Sequence, residues 1–330
     1  MSSLFTTYDQ VKEIIGADAS NELDTIQPYI TDAANDYVIP FLGQVEYDTL
    51  LAHFTDDAMT GDDEALLVYV RKILVHFAYY LYADDGTMSI SDSGFIRQEH
   101  TEGKSAYQWQ VRAFKDRRWN NGWRAIEAMN IFLYKNLGNY TSWYASDERA
   151  VWNKHFVWNT LNFKLYHRIS GFDTLYNLQP TISEVEEKYI RPHITSSIYN
   201  DMLTRIMEGA TTEDDLELLP YIRRVIVFKS LEEIADNFGY EFGKDGLQNS
   251  SIDSNTQNTD KRANTVREAR AILKKEFQTK FLEARNLLIN FLNENASASK
   301  YEPYYTKFIN VTAAEVTDSN TDKGVVFLGF

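Results

Sequence analysis

Tyr37-Val38-Ile39-Pro40-Phe41-Leu42 opens a stretch that the chain writes twice. Tyr37, Val38, Pro40, Leu42, Tyr47 and Leu51 are matched, each 152 positions on, by Tyr189, Ile190, Pro192, Ile194, Tyr199 and Leu203. The same offset carries Leu67, Tyr69, Val70, Arg71, Lys72, Ile73 and Val75 onto Leu219, Tyr221, Ile222, Arg223, Arg224, Val225 and Val227. An offset held across two helices marks a duplication, and a repeat decides the architecture before any other feature is weighed.

Outward from this stretch the sequence reads as mostly helix. Glu64 to Tyr82 places Leu67, Val70, Leu74, Phe77 and Leu81 on one helical stripe. Val266 to Leu292 does the same with Val266, Leu273, Phe277, Phe281, Ala284, Leu288 and Phe291, and Val111 to Leu137 is its earlier counterpart. There Glu127, Ala128 and Asn130 fall on Glu283, Ala284 and Asn286 at an offset of 156, as if the intervening loops differ in length. The loops start alike, at Asp85-Gly86 and Asp245-Gly246, a turn signal. Phe156, Val157 and Thr160 match Phe308, Ile309 and Thr312, which suggests a recurring tail after each long helix. The expected fold is mostly α: a tandem duplication of a small antiparallel helical bundle over residues 1–170 and 171–330, with short β segments after each unit.

Composition narrows the function classes. The chain of 330 residues has no cysteine, so disulfides, thiolate catalysis and Cys-based zinc sites are excluded. No uninterrupted apolar run of membrane-spanning length and no signal-like start are present, so a soluble protein away from membranes is expected. The formal net charge of −15 argues against wrapping DNA. The charge is polarised within each copy. Met1 to Leu66 holds 14 acids and one base, whereas Tyr107 to Lys135 holds six bases and two acids. Thr181 to Leu219 holds nine acids and three bases, and Lys261 to Arg285 holds eight bases and three acids. Opposite patches on one chain suit head-to-tail contacts between subunits, with charge setting register; two solvated helix faces are the plainer alternative.

Reactive constellations are few. The sequence lacks a phosphate loop, a nucleophile elbow, a dinucleotide fingerprint and a His-Glu-x-x-His pair. The histidines at 53, 76, 100, 155, 167 and 193 are scattered, and a lone helical histidine such as His76 reads as a packed or surface residue rather than a ligand. Asp62-Asp63-Glu64 suits a helix start better than a cation site. Tyr107, Trp109, Arg112, Lys115, Arg117, Arg118, Trp119, Trp123 and Arg124 interleave bases with aromatics, a pattern that can stack single strands but also serves packing. The aromatics from Trp143 to Phe172 read as a seam between the two units. No catalytic, cofactor or metal residues are assigned.

The arrangement resembles the head–tail connector, or adaptor, proteins of tailed bacteriophages, and is most similar to a connector-like family of Bacteroidales phages and prophages. The residues carrying this are Tyr37-x-x-Pro-x-Leu, Asp85-Gly86, Ala106-Tyr107-Gln108-Trp109-Gln110, and the Phe-Val/Ile-x-x-Thr element at Phe156 and Phe308. In the second copy Asn264-Thr265 replaces the aromatic approach to the long helix. The resemblance implies a structural virion protein of the neck, assembled in the host bacterial cytoplasm. It implies a homo-oligomeric ring of twelve subunits, or six if two units per chain imitate twelve-fold symmetry. Its partners would be itself, the portal protein and tail or other neck proteins, with DNA touched only passively in an acidic or neutral channel. Arg117, Arg118 and Lys274 are the expected basic contacts to a neighbour's acidic helix near Asp32 to Asp48. Val325, Val326, Phe327, Leu328 and Phe330 form a terminal apolar strand expected to dock on a neighbouring subunit or neck protein, with packing back onto the same chain as the alternative. A helical enzyme or small-molecule binder with a pocket between the units is the alternative.

Overall fold

The computed structural model describes residues 3–16, 22–86, 88–91, 94–97, 107–152, 154–236, 240–243, 246–249 and 260–310. The chain is mostly helical and forms two compact units. The first comprises Met1–Lys154 with Trp158–Thr160 and Ile169–Tyr176; the second comprises His155–Val157, Leu161–Arg168 and Asn177–Phe330.

Unit 1 runs α1 (Tyr8–Ile15), α2 (Leu23–Ala33), a π-helical turn (Ala34–Val38), α3 (Ile39–Leu42), α4 (Gln44–Thr55), α5 (Gly61–Asp85), a hairpin of β1 (Met88–Ser91) and β2 (Gly94–Arg97), α6 (Gln108–Lys135), α7 (Thr141–Tyr144) and α8 (Asp147–Trp152). The second series runs α9 (Thr160–Lys164), α10 (Phe172–Val185), a π-helical turn (Glu186–Ile190), α11 (Arg191–Ile194), α12 (Ser196–Met207), α13 (Glu213–Ile234), β3 (Tyr240–Gly243), β4 (Gly246–Asn249), α14 (Asp260–Asn295), α15 (Glu302–Tyr304) and a last π turn (Tyr305–Ile309). From the first π turn to the hairpin, the element starts agree at an offset of 152.

The local chemistry explains why these elements recur. Pro28 and Pro180 stand inside α2 and α10, where each removes one backbone donor shortly before the π turn. Pro40 and Pro192 sit in the first turn of α3 and α11, where the missing N–H costs nothing. Thr60 and Asp63 close a capping box at α5, as Thr212 and Asp215 do at α13. Behind each box a nitrogen-bearing side chain from the preceding helix holds the acid. His53 Nδ1 lies 3.0 Å from Asp63, and Arg205 forks onto Asp215 with two bonds of 2.6 Å. Arg71 Nε donates to the Leu4 carbonyl and Arg223 Nε to the Phe156 carbonyl, both at 2.8 Å.

The helix pairs α5 with α6 and α13 with α14 form the core of each unit. Gly61–Ala83 has the length and composition of a membrane span, which the sequence reading did not anticipate. In unit 1 it is the core helix, with Leu66, Val70, Ile73, Leu74 and Phe77 fully buried. The buried positions of α6 (Arg118, Gly122, Ala125, Met129 and Leu133) correspond to those of α14 (Phe277, Phe281, Ala284, Leu288 and Leu292). This register is 159 residues, not the 156 read from Glu127, Ala128 and Asn130. The helix ends confirm it: Tyr69 stacks on Phe132 at 4.9 Å and Tyr221 on Phe291 at 4.5 Å. Beyond the helices Tyr140 donates to the Asp62 carbonyl and Tyr301 to the Asp214 carbonyl.

Three further expectations are corrected. In place of a single boundary at 170/171, the chain alternates between the two units from residue 155 to residue 176, and Phe156 takes in the second copy the role of Leu4. Phe156 is fully buried against Tyr199, whereas Phe308 is 44% exposed in the final π turn, so the two are not equivalent. The β segments expected after each unit lie instead within it, between α5 and α6 and between α13 and α14. There Gly246 pairs with Gly243 as Gly94 pairs with Ser91, so Gly94, not Gly86, is its counterpart.

Two positions show how differently the copies solve the same geometry. Gly43, between α3 and α4, has φ +82 and ψ 146; its counterpart Thr195 has φ +75 and ψ 148. A β-branched residue is strained there, and the Thr195 hydroxyl is buried without a hydrogen-bond partner. Thr195→Gly should therefore stabilise the protein by about 1 kcal/mol, read as a rise in unfolding temperature; an unchanged or lower value would refute the strain. Gly122, in α6, lies against Phe77, and a Cβ there would stand 2.6 Å from the ring. Gly122→Ala should cost roughly 1–2 kcal/mol, despite the ~1 kcal/mol that alanine adds to a helix, because the ring is already fully packed. Phe77→Leu in the same chain should recover part of the loss in thermal unfolding.

Candidate interaction surface

The basic and aromatic run of α6 is divided by the helix period. Arg118 points inward and is only 5% exposed. Its guanidinium donates to His76 Nδ1 at 3.4 Å and to the Ile15 carbonyl at 3.3 Å, and lies over the Phe114 ring at 4.8 Å. Arg118 is thus an internal tie of unit 1, not the expected contact to a neighbour. Trp123 is buried, and Trp119 donates to Asp173 at 3.4 Å while packing on Tyr37, Phe77 and Tyr80. Tyr107 and Trp109 remain 65% and 67% exposed at the start of the helix, and Arg117 and Arg124 are exposed two turns apart. Trp119, Trp123 and Arg118 are thus taken up by the packing of unit 1, and only Tyr107 and Trp109 of the run's aromatics remain exposed with Arg117 and Arg124.

Lys274 lies on the outside of α14, but its ammonium is paired with Asp236. Lys300 is shared between Asp214 and Glu217 at 3.1 and 2.6 Å. The terminal residues Val325, Val326, Phe327, Leu328 and Phe330 lie outside the described residues, as do His100 and most of the two loops before the long helices. The aromatic seam resolves into the cores of separate units. Trp143 donates to the Phe41 carbonyl, and Trp158 packs on Tyr134 in the first; Phe156 packs on Tyr199 in the second.

Buried acids are consumed by structure. Glu46 accepts the Trp143 N–H at 3.2 Å, and its burial holds its pKa above the usual carboxylate range. Glu186, fully buried in the second π turn, accepts from the Phe156 N–H at 2.9 Å, His155 Nδ1 at 3.0 Å and the Tyr199 hydroxyl at 3.3 Å. This clamp, which has Ala34 as its counterpart in unit 1, was not read from the sequence. Its signal was a Glu on the apolar face of a proline-bearing repeat. Against the penalty of burial, Thr60 and His53 keep Asp63 low, and Arg205 and Thr212 do so for Asp215. Among the described residues no three His, Asp or Glu side chains are grouped to share a metal ion.

A sequence family described only as one of unknown function, DUF6712, matches the chain twice, over residues 38–151 and 190–309. The chain belongs to that family. The two matches begin 152 positions apart, at the last residue of each of the first two π turns. No curated protein and no solved structure matches the chain.

His76 gives the surface's inner wall a pH dependence. Burial first, then the charges of Arg118, Lys72 and Arg124, press its pKa down to about 4. The folded state then holds the imidazole neutral where the unfolded chain, near 6.5, protonates it. Stability is full above pH 6.5 and falls as pH drops from 6.5 towards 4, by on the order of 2 kcal/mol. In pH-resolved denaturation, the stability gap between the wild type and His76→Gln should shrink across that window. A gap independent of pH would show that His76 does not titrate this way.

Proposed function

We propose that this protein is a structural virion component that forms a ring at the head–tail junction of a tailed bacteriophage, between portal and tail. The observation that carries the proposal is what the duplication keeps and what it lets go. Kept pair for pair are framework contacts: the two arginine clamps, the two capping boxes, and the two stacked ring pairs at the helix ends. Let go are the outward residues. Asp9 and Glu13 of α1 become Leu161 and Leu165, 64% and 72% exposed, and Glu64 becomes Leu216, 58% exposed. A duplicated scaffold with divergent outer faces suits a subunit that meets neighbours on several sides. The connector resemblance of Tyr37-x-x-Pro-x-Leu supplies the particular assembly, and the acidic and basic segments supply complementary faces.

Sedimentation or native mass measurement over a range of concentrations, followed by particle imaging, tests this. A closed ring of twelve or six chains is expected. Arg117→Glu with Arg124→Glu, both exposed, should slow assembly and alter its salt dependence while leaving the helical content intact. A chain that stays monomeric at every concentration and with the portal present, or a virion holding one or two isolated copies, would overturn the proposal.

A further inference from the structure

Unit 2 exposes leucines where unit 1 carries acids. Leu161 and Leu165 lie one turn apart on the outside of α9, whose other side buries Phe163 completely. The Leu165 N–H donates to the Leu161 carbonyl at 3.3 Å, so the turn continues past the end of the helix. Leu216 stands in the first turn of α13. Two bonds hold these elements together along one side of α13. Arg223 Nε donates to the Phe156 carbonyl at 2.8 Å, and the Tyr166 hydroxyl donates to the Pro220 carbonyl at 2.9 Å. Leu216, Pro220 and Arg223 follow one another on that side at helical spacing. Leu161, Leu165 and Leu216 are 64%, 72% and 58% exposed, and all belong to unit 2. Together they leave roughly two whole leucine side chains in water on one compact unit.

The rim of this patch has two signs. Glu213 is exposed at the start of α13 and Arg224 is exposed three turns on, with Leu216 and Pro220 between them. The two charges are separated along the helix by about 16 Å. Lys164, on α9, is exposed as well. Burial raises the pKa of the Tyr166 hydroxyl, and the charges of Arg223 and Arg224 oppose the rise, which sets the basic end beside α9. A partner of a single charge sign would meet like charge at one end. The counterpart face of unit 1 does not fit either, because Asp9, Glu13 and Glu64 would lose water against leucine. A second copy of the same face does fit. Turned by a two-fold axis, it sets its Arg224 over Glu213, its Glu213 over Arg224, and leucine on leucine.

We infer that the free chain pairs with a second copy through the Leu161, Leu165 and Leu216 face of unit 2, in an antiparallel two-fold contact with Glu213 and Arg224 matched at both ends. The exposed leucine surface falls well below the ~800 Å² that each partner brings to a stable interface of standard size, so the pair is reversible and depends on its charged ends. A two-fold contact closes on itself and adds no third chain. It does not use Arg117 or Arg124, and it stands whether or not a ring forms.

Sedimentation equilibrium of the full chain carrying Arg117→Glu and Arg124→Glu keeps ring assembly out of the measurement. A reversible equilibrium between monomer and dimer is expected. Adding Leu161→Asp with Leu165→Asp should raise its dissociation constant about tenfold or more, with the helical content unchanged. Glu213→Lys and Arg224→Glu should each weaken pairing several-fold. Combined in one chain they should restore it, because the reversed ends still match across the axis. A chain that is monomeric at every concentration would overturn the inference, since the leucines would then be covered by the chain itself or by another protein. Oligomers whose mass the leucine variants leave unchanged would overturn it too, as would a combined charge reversal that pairs no better than the weaker single variant.

Discussion

One ring has to fill the space between the long helix pair and the proline turn, and the rest of each unit is arranged around that requirement. In unit 1 the ring comes from α5: Phe77 stacks face to face on Tyr37 at 3.7 Å, and Gly122 on α6 leaves room for it. In unit 2 the ring comes from the other helix. Phe281, in the place of Gly122, meets Tyr189 edge-on at 5.4 Å, and Lys229 takes the place of Phe77. The total volume is kept while its source is exchanged between helices, which is what a close-packed interior allows. The exchange has a consequence. Lys229 lies 4.7 Å from the Tyr189 ring and 5.1 Å from that of Phe281, so its ammonium is largely removed from water. Glu232 and Glu233, on the next turn of α13, hold it at 3.1 and 2.9 Å. Their counterparts in unit 1 are Tyr80 and Leu81, neither of them charged. One substitution in the core thus required two more beside it, since an unpaired buried ammonium would be strongly destabilising.

The same logic explains which sequence signals were legible. The 152-residue offset is visible because it passes through positions where geometry restricts identity: Pro40 and Pro192 in a first helical turn, Arg71 and Arg223 at a carbonyl clamp, Tyr69 and Tyr221 at a stacked pair. The long helices gave a false register because side-chain identity there is weakly constrained. An error of three residues turns a helix by about 300°, which leaves a residue within about 60° of its true face. Apolar matches at 156 therefore imitate the real offset of 159, and only the buried stripe separates them. Asp85-Gly86 misled for a similar reason. An Asp-Gly pair signals a turn of some kind, but Gly86 merely ends α5 while Gly94 and Gly246 flank hairpin turns.

The surface was less legible than the fold. A run of alternating bases and aromatics looks like one feature in a line of text, yet a helix sends successive residues about 100° apart. Arg117 and Arg118 are neighbours in sequence, but one faces water and the other is locked beneath His76 and Ile15. Which of the two turns inward depends on the phase set by Gly122 and Trp123, and that phase follows from the Phe77 contact. The clamp at Glu186 was hidden differently. Its partners His155 and Phe156 arrive from 30 or more positions upstream, across a boundary the sequence placed later in the chain.

The divergence between the copies has a direction. Inside, changes are compensated: Phe77 and Gly122 against Lys229 and Phe281, His53 against Arg205 beneath the capping acids, Ala34 against Glu186 with its three donors. Outside, Asp9, Glu13 and Glu64 of unit 1 give way to the exposed Leu161, Leu165 and Leu216 of unit 2. Compensated change preserves a scaffold, and uncompensated apolar exposure adds surface that gains by being covered. Two identical units would present the same face twice and so favour like contacts. Two units sharing a framework but differing at the surface can bind unlike neighbours in fixed order.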